Sequence, residues 1–231
     1  KKASRLGPAP SEPLEEVTCD FLISSSHKNL GIRISATDTR DSEIIMGVGL
    51  CIQDRATKYR RSFPSGHRTE ETVMTSFQHF CGKKSSPGYM YHDGGAELVA
   101  ASTRLGYNFD TSVPGRHESN AVAEATVKDI YQGTVCAMQE AGFYPEHWPS
   151  ASEHYCMSYN ITERIGENGE TAYELFTGEP FTGLSLPYGA KCYFMPTPAQ
   201  KKTLHRSDTN LQPGLFCGWK LLSGGKFSKA Y

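Results

Sequence analysis

Three acidic residues, Asp20, Asp93 and Glu124, stand in three different local settings along the 231-residue chain. Asp20 interrupts the apolar run EVTCDFLI, Asp93 closes the run GYMYHD, and Glu124 belongs to the helical pattern NAVAEATVKDI. A carboxylate at a buried strand end or on an inward helix face is unfavourable unless a cation lies beside it. Three converging carboxylates therefore predict a bound metal, and their hard oxygen ligands favour magnesium or manganese over zinc. Two such ions about 4 Å apart can activate a water or hydroxyl and stabilise the leaving oxygen in phosphodiester chemistry.

Two of these acids also have a purely structural interpretation. Asp93 precedes Gly94-Gly95 and is compatible with a simple turn, although the same glycines allow an ion or phosphate to approach the backbone closely. Glu124 and Lys128 are four residues apart, so on a helix they can form an exposed ion pair worth a few tenths of a kcal/mol.

Asp20 and Asp54 are alternative candidates for the first metal ligand. Taken alone, Asp20 is as compatible with a structural or edge-facing strand residue as with a ligand. Asp54, in CIQDRATKY, stands at the end of the second apolar run and is the alternative candidate. Both acids remain candidates on the residues alone.

Hydrophobic periodicity and cap residues mark the elements that must position these acids. Thr69 is the predicted N-cap of a helix with Val73, Phe77 and Phe80 on one face, and Gly106 is the predicted C-cap of a second, short helix. A long helix is predicted over 120–140 and another around 147–159, followed beyond Gly166 by turn-rich sequence with short β-prone segments. Strands are predicted at EVTCDFLI, IIMGVGLCIQD, KYRRSFPSG, YMYHD and YNFDTSV.

The sequence around the acids resembles the catalytic segments of copia-type retrotransposon integrases. The stretch YHDGGAEL, followed by DTSVPGRHESNAVAEATVKDI, is similar to their second and third catalytic segments. The later stretches EHWPSASEHYCMSYNIT, ETAYELFTGEPFTGLSLPYGAKCYF and PGLFCGWKLLSGGKFSKAY resemble the family's downstream segments in their usual order. The resemblance covers nearly the whole chain and is weakest between Ser24 and Ser42.

The resemblance implies an α/β fold, a ribonuclease-H-like mixed five-stranded sheet flanked by helices with a small β-rich C-terminal appendage, which agrees with the predicted element order. It favours Asp20 over Asp54 as the first ligand. Asp20, Asp93 and Glu124 are then the catalytic residues and the ligands of Mg²⁺ or Mn²⁺, with two ions held when DNA is bound.

The resemblance also implies that Arg116, Asn120 and Lys128 contact DNA. The chain departs from the family pattern at His92, where Ser is usual, at Ala121 for Gly, and at Ala125 for Arg. We expect His92 to lie on the surface with its hydrogen-bonding groups satisfied.

The implied function is DNA integration: metal-dependent 3′-end processing of element DNA and strand transfer into target DNA, by a homo-oligomer that is intracellular and acts in the nucleus. The alternative is a domesticated or decayed core without catalysis, serving as a DNA-binding or protein-interaction module. The formal net charge of −1 and the pI of about 6.8 weigh against tight autonomous DNA binding and lend that alternative support.

Composition sets the remaining expectations. Residues 1–13 resemble a linker, 14–165 are predicted to form the catalytic core, and 166–231 a turn-rich, β-prone extension. The resemblance further implies that the chain is a segment of a polyprotein. Seven widely spaced cysteines without a C-x-x-C pair indicate reduced, mostly buried thiols, and no apolar run reaches the roughly 18 residues of a membrane span.

Overall fold

A computed structural model describes residues 7–8, 10–23, 31–34, 43–82, 85–112, 121–196 and 211–231. A five-stranded sheet in the order β5-β4-β1-β6-β7 forms its centre, and helices cover both faces. The strands are β1 (Glu16–Ile23), β2 (Gly31–Ile34), β3 (Glu43–Met46), β4 (Val48–Asp54), β5 (Arg60–Ser65), β6 (Tyr89–His92), β7 (Phe109–Thr111), β8 (Lys191–Phe194), β9 (Gln212–Leu215), β10 (Lys220–Leu221) and β11 (Phe227–Ala230). The helices are α1 (Glu70–Cys81), α2 (Ala96–Leu105), α3 (Ala121–Ala141), α4 (Trp148–Thr162) and α5 (Ala172–Thr177), with a 3₁₀ turn at Pro145–His147.

The central sheet is mixed. β1 pairs antiparallel with β4 and parallel with β6, β4 pairs antiparallel with β5, and β6 pairs parallel with β7. Because successive strand residues point to opposite faces, β1 divides its side chains between two cores. Val17, Cys19 and Phe21 pack on the side of α1 and α2, whereas Leu22 packs on the side of α3 and α4.

The helix on the first face begins and packs as its sequence predicts. The Thr69 hydroxyl accepts a hydrogen bond from Thr72 N at the N-terminus of α1, and Val73, Phe77 and Phe80 are almost completely buried. Gly106 ends α2 in the left-handed conformation (φ 69°), which glycine adopts without steric strain. These local signals fix the helices that cover one side of the sheet.

The second predicted strand is divided in two. β3 and β4 are separated at Gly47, whose N–H donates to the carbonyl of Ser65 (3.0 Å). β3 pairs with β2 in a separate two-stranded sheet, while β4 pairs with β1. The apolar run IIMGVGLCIQD is continuous, so hydrophobicity alone could not show that its two halves pair with different partners.

The C-terminal segment packs on the core instead of standing apart. α5 brings Phe176 against Tyr59, with ring centroids 4.1 Å apart and rings nearly parallel, and Trp219 Nε1 donates to the Leu184 carbonyl (2.9 Å). Two small antiparallel pairs, β8 with β9 and β10 with β11, account for the predicted β-rich appendage. The boundary placed at residue 166 stays a prediction.

Within the described ranges, no helix combines the length and the apolar character that crossing a membrane requires.

Candidate carboxylate site

Asp20 lies on the central strand, on the face that α3 covers. It shares the orientation of Leu22, two residues further along β1, which packs in the core beneath α3. The parallel register of β1 and β6 pairs Thr18 with Tyr91. Continued for two residues, this register sets Asp20 opposite Asp93, just beyond the end of β6. The topology therefore brings these two acids to the same end of neighbouring strands.

A tight turn orients Asp93. Gly95 N donates to Asp93 Oδ1 (3.0 Å), and Gly94 has φ of +81°, a conformation that favours glycine. A β-carbon at Gly94 would stand 3.3 Å from the Thr111 side chain on β7, so the position is also tightly packed. The Asp-Gly-Gly sequence thus forms a turn, and that turn leaves the Asp93 side chain exposed.

His92, directly before Asp93, is completely buried, so the expectation of a surface histidine was wrong. The ring stacks on Phe109 of β7, and its Nδ1 accepts a hydrogen bond from Gly94 N (3.2 Å). Burial lowers the pKa of His92 and so favours the neutral ring. The Nε2 atom has no hydrogen-bond partner among the described residues. The histidine is buried because β6 is an inner strand between β1 and β7.

Glu124 lies in the first turn of α3 and is exposed. Two residues on, the buried Thr126 hydroxyl lies 3.0 Å from Gln53 Oε1 on β4, which fixes this turn against the sheet. Further along α3, Asp129 forms an ion pair with the buried Arg60 of β5 and accepts a hydrogen bond from Tyr155 of α4 (3.1 Å). These contacts anchor the helix that carries Glu124.

Asp93 and Glu124 are close enough to Asp20 to act electrostatically on its carboxyl group. Burial, the largest cause, together with the negative charges of Asp93 and Glu124, raises the pKa of Asp20 to about 6. A hydrogen bond from Phe21 N (2.7 Å) and the charge of Arg68 oppose this shift. The Asp20 carboxylate is therefore destabilised by burial and by like charge, and both effects would be relieved by a cation.

The donor set fits a hard divalent cation in its chemistry, because it consists of carboxylate oxygens. In the part of the chain that the structure describes, however, no group of three or more His, Cys, Asp or Glu side chains is arranged to hold a metal ion. Metal binding by Asp20, Asp93 and Glu124 would therefore require these side chains to move.

Arg68 belongs to the same region and was not identified from the sequence. Its guanidinium forms an ion pair with Glu97 in the first turn of α2 and lies 4.3 Å from the centre of the Phe21 ring. Since Arg68 and Glu97 are 29 residues apart, only the packing of α1 beside α2 brings them together.

Asp54 occupies a different environment. Its side chain accepts hydrogen bonds from Leu14 N (2.8 Å), Thr57 N (2.8 Å) and Thr57 Oγ1 (2.7 Å), and the residue is fully buried. β4 runs antiparallel to β1, so Asp54 pairs with Val17 while Asp20 pairs with Cys51. Asp54 therefore stabilises a turn at the opposite end of β1 from Asp20.

The predicted DNA contacts divide into two groups. Lys128 is exposed on α3, one helical turn beyond Glu124. Arg116 and Asn120 lie outside the described residues.

No protein-family model and no curated protein matches this chain. Among solved structures, a chain of the simian T-cell lymphotropic virus intasome in complex with PP2A regulatory subunit B56 gamma is similar, with TM-score 0.52 and 12% identity over 89% of this chain and 69% of that chain. The HTLV-2 integrase catalytic core domain in complex with magnesium is also similar, over 71% of this chain. Its trimeric form has TM-score 0.46 and 12% identity over 97% of its own chain, and its dimeric form has 0.44 and 11% over 95%.

At these identities the likeness concerns the fold alone. The mixed five-stranded sheet flanked by helices confirms the predicted fold class, and the likeness to the intasome chain concerns this same architecture. Descent from copia-type elements in particular stays a prediction.

Proposed function

We propose that this protein carries out metal-dependent polynucleotidyl transfer in DNA integration, processing the 3′ ends of element DNA and joining them to target DNA. The observation that supports this proposal best is the coupling of three carboxylates, from β1, from the turn after β6 and from α3, at one end of a sheet of the integrase type. A burial-destabilised carboxylate beside two others is the electrostatic setting in which a divalent cation binds.

Asp20, Asp93 and Glu124 would hold Mg²⁺ or Mn²⁺, two ions when DNA is bound. Such ions supply activation of the attacking oxygen and neutralisation of the leaving oxygen. The chain's own part is to place Asp20 on the central strand, to orient Asp93 through the Gly95 N–H, and to hold Glu124 on an anchored helix. Catalysis would then depend on positioning and electrostatics, without a covalent intermediate with the protein.

The proposed partners are element DNA ends and target DNA. Lys128 is the described basic residue nearest in sequence to Glu124 on α3, and we assign it to the DNA backbone together with Arg116 and Asn120. A homo-oligomer acting in the nucleus belongs to the same proposal, and the similar fold of an intasome chain is consistent with the oligomer.

Asp93→Asn tests the metal site. Because the substitution removes a charged ligand while keeping the side-chain shape, we expect Mn²⁺ binding by calorimetry to fall by at least about tenfold and strand transfer on oligonucleotide duplexes to be lost. The melting temperature should stay close to that of the wild type. Asp110→Asn, at an exposed acid on the neighbouring strand β7, is the matched control and should bind Mn²⁺ normally. Equal Mn²⁺ affinity of the Asp93→Asn protein and the wild type would exclude Asp93 as a ligand.

A non-catalytic core is the second candidate. The absence, among the described residues, of a group of three or more His, Cys, Asp or Glu side chains that could hold a metal ion favours it. In that case the protein would bind DNA or a partner protein with no dependence on Mn²⁺, and strand transfer would be absent from the wild type as well.

A further inference from the structure

His154 of α4 is a buried histidine that contacts the C-terminal segment, the described residues from Leu184 onward. The residue is only 5% exposed, and its Nε2 lies 2.9 Å from the Leu186 carbonyl oxygen. Because a carbonyl oxygen can only accept, Nε2 carries the proton of the neutral ring and Nδ1 carries none. Nδ1 lies 3.4 Å from the Ser158 hydroxyl, one helical turn further along α4. The neutral imidazole therefore has a polar neighbour at each nitrogen, one on its own helix and one in the C-terminal segment.

Three aromatic rings of the C-terminal segment surround the imidazole. Trp219 is stacked on it with ring centroids 5.0 Å apart, while Tyr188 and Phe216 meet it edge-on at 5.4 Å and 5.7 Å. We call these three residues the aromatic cage. Phe216 and Trp219 also pack on each other at 4.9 Å, and Trp219 Nε1 donates to the Leu184 carbonyl (2.9 Å). One side chain of α4 is thus the centre of a contact that four residues of the C-terminal segment form with the core.

Among the described residues, the cage supplies no negative charge to a protonated imidazole. Burial lowers the pKa of His154, the hydrogen bond to the Leu186 carbonyl opposes this, and no charged side chain contributes. Stacking on Trp219 offsets part of the cost of a charged ring, because the face of an aromatic ring attracts a cation. The titratable and charged side chains on the elements packed here are Glu153, Tyr155, Tyr188, Cys217 and Lys220.

The two titratable groups closest to the cage stay neutral around neutral pH. Burial raises the pKa of Tyr188 to about 12, and burial also raises the pKa of Cys217. Neither group can therefore compensate a positive charge on His154.

We propose that His154 is a pH-sensitive switch for the C-terminal segment: the neutral ring holds the segment on α4, and protonation of the ring releases it. The proton must be added at Nδ1, because Nε2 already carries one. In the docked state the new charge lies among three aromatic rings and a hydroxyl, whereas in the released state water solvates it. The switch does not involve the carboxylates of the proposed metal site.

The sign of the pH dependence follows from this difference in solvation. The docked state has the lower histidine pKa, so below the ordinary value of about 6.5 the released state binds more protons. Docking is then fully stable above this pH and weakens as the pH falls below it.

Exchange of the Trp219 indole proton with solvent measures release, because that proton is held by the Leu184 carbonyl. His154→Gln is neutral at every pH, and its amide can still donate to Leu186. Dividing the wild-type rate by the His154→Gln rate at the same pH removes the intrinsic pH dependence of exchange. We expect this ratio to rise between pH 7.5 and pH 5.0 by at least about threefold and by at most about thirtyfold, the limit set by an ordinary histidine pKa of about 6.5.

His79 provides the matched control. Its residue is exposed, and its Nδ1 lies 3.4 Å from Ser223 Oγ of the same segment. His79→Gln should keep the wild-type pH dependence. Backbone amides of β1, in the middle of the central sheet, report wider unfolding and should not become faster in parallel with Trp219. An NMR titration of the His154 ring in the wild type needs no variant, and it should give a pKa below about 6.5.

Four results would overturn the proposal. A ratio that stays constant from pH 7.5 to pH 5.0 would show that His154 does not control release, and so would an NMR pKa of about 6.5 or higher. Loss of the pH dependence in His79→Gln would assign the switch to His79. Equal acceleration at Trp219 and in β1 would show that His154 affects the stability of the whole fold and does not act on docking.

Discussion

Asp20 and Asp54 lie on neighbouring strands of one sheet, Asp20 half-buried and Asp54 fully buried, and the groups around them differ. Burial raises the pKa of both carboxyl groups. Around Asp54, hydrogen bonds from Leu14 and Thr57 oppose that rise and favour the charged form. Around Asp20, the neighbouring charges of Asp93 and Glu124 add to it.

The difference separates a structural acid from a functional one. A buried carboxylate that accepts hydrogen bonds from backbone N–H groups is already compensated, and it stabilises the turn that supplies them. At Asp20, the negative charges of Asp93 and Glu124 add to the cost of burial, so the ionised group lowers the stability of the metal-free fold, and a bound cation would offset both effects. Asp54 is therefore a structural acid, whereas Asp20 is a functional acid in the proposed metal site.

The largest expected effect comes from Asp54→Asn. The amide group can replace only one of the two accepting oxygens, and its NH₂ group would face a donor, so we expect the free energy of unfolding to fall by about 2–3 kcal/mol. Chemical denaturation at neutral pH measures this change. Mn²⁺ affinity, measured on the folded variant, should be unchanged. A protein as stable as the wild type would show that Asp54 does not hold the turn.

The same substitution at Asp20 should have the opposite sign. Asp20→Asn removes a charge that burial and like charges disfavour, so at pH 7 we expect stability to rise by roughly 1 kcal/mol, a figure reduced for the partial solvent exposure of the group. Mn²⁺ binding should be lost. A stabilised protein without metal binding is the expected result at a functional position.

The pH dependence of the free energy of unfolding tests the Asp20 prediction independently. The pKa of Asp20 is raised from 3.8 to about 6, so between these values the folded state binds more protons than the unfolded state. The stability of the wild type therefore falls as pH rises through this window, and it has fallen fully above pH 6. In Asp20→Asn this part of the fall should be missing, and the two proteins should be closest in stability near pH 4. Parallel curves from pH 4 to pH 7 would contradict the assignment.

The smallest expected effect concerns the surface beside the acids. Lys128→Glu should weaken binding to duplex DNA of any sequence and lower the magnitude of the salt slope by about one, because one phosphate contact is lost. Lys220→Glu, at an exposed lysine of β10, is the control with the same charge change and should leave the slope unaltered. If both variants or neither change the slope, Lys128 is not a specific phosphate contact.

Local sequence signals predicted much of the framework. The alternation in EVTCDFLI determined β1, the Thr69 cap with Val73, Phe77 and Phe80 determined α1, and Gly106 marked the end of α2. Each signal depends on neighbours within one or two turns or on alternate strand residues, so it can be read before any tertiary contact is known. For the same reason the three acids could be named and placed on their elements from the sequence.

Tertiary structure alone decided which polar groups became partners. The break at Gly47, the burial of His92 between two strands, and the pairing of Arg68 with Glu97 across 29 residues all depend on how elements pack. So does the contrast between Asp20 and Asp54, since both occur at apolar runs and differ only in what the fold sets beside them. The type of a charged side chain can be read from the sequence. Its pKa and its partner depend on burial and on neighbouring charges, which exist only once the chain has folded.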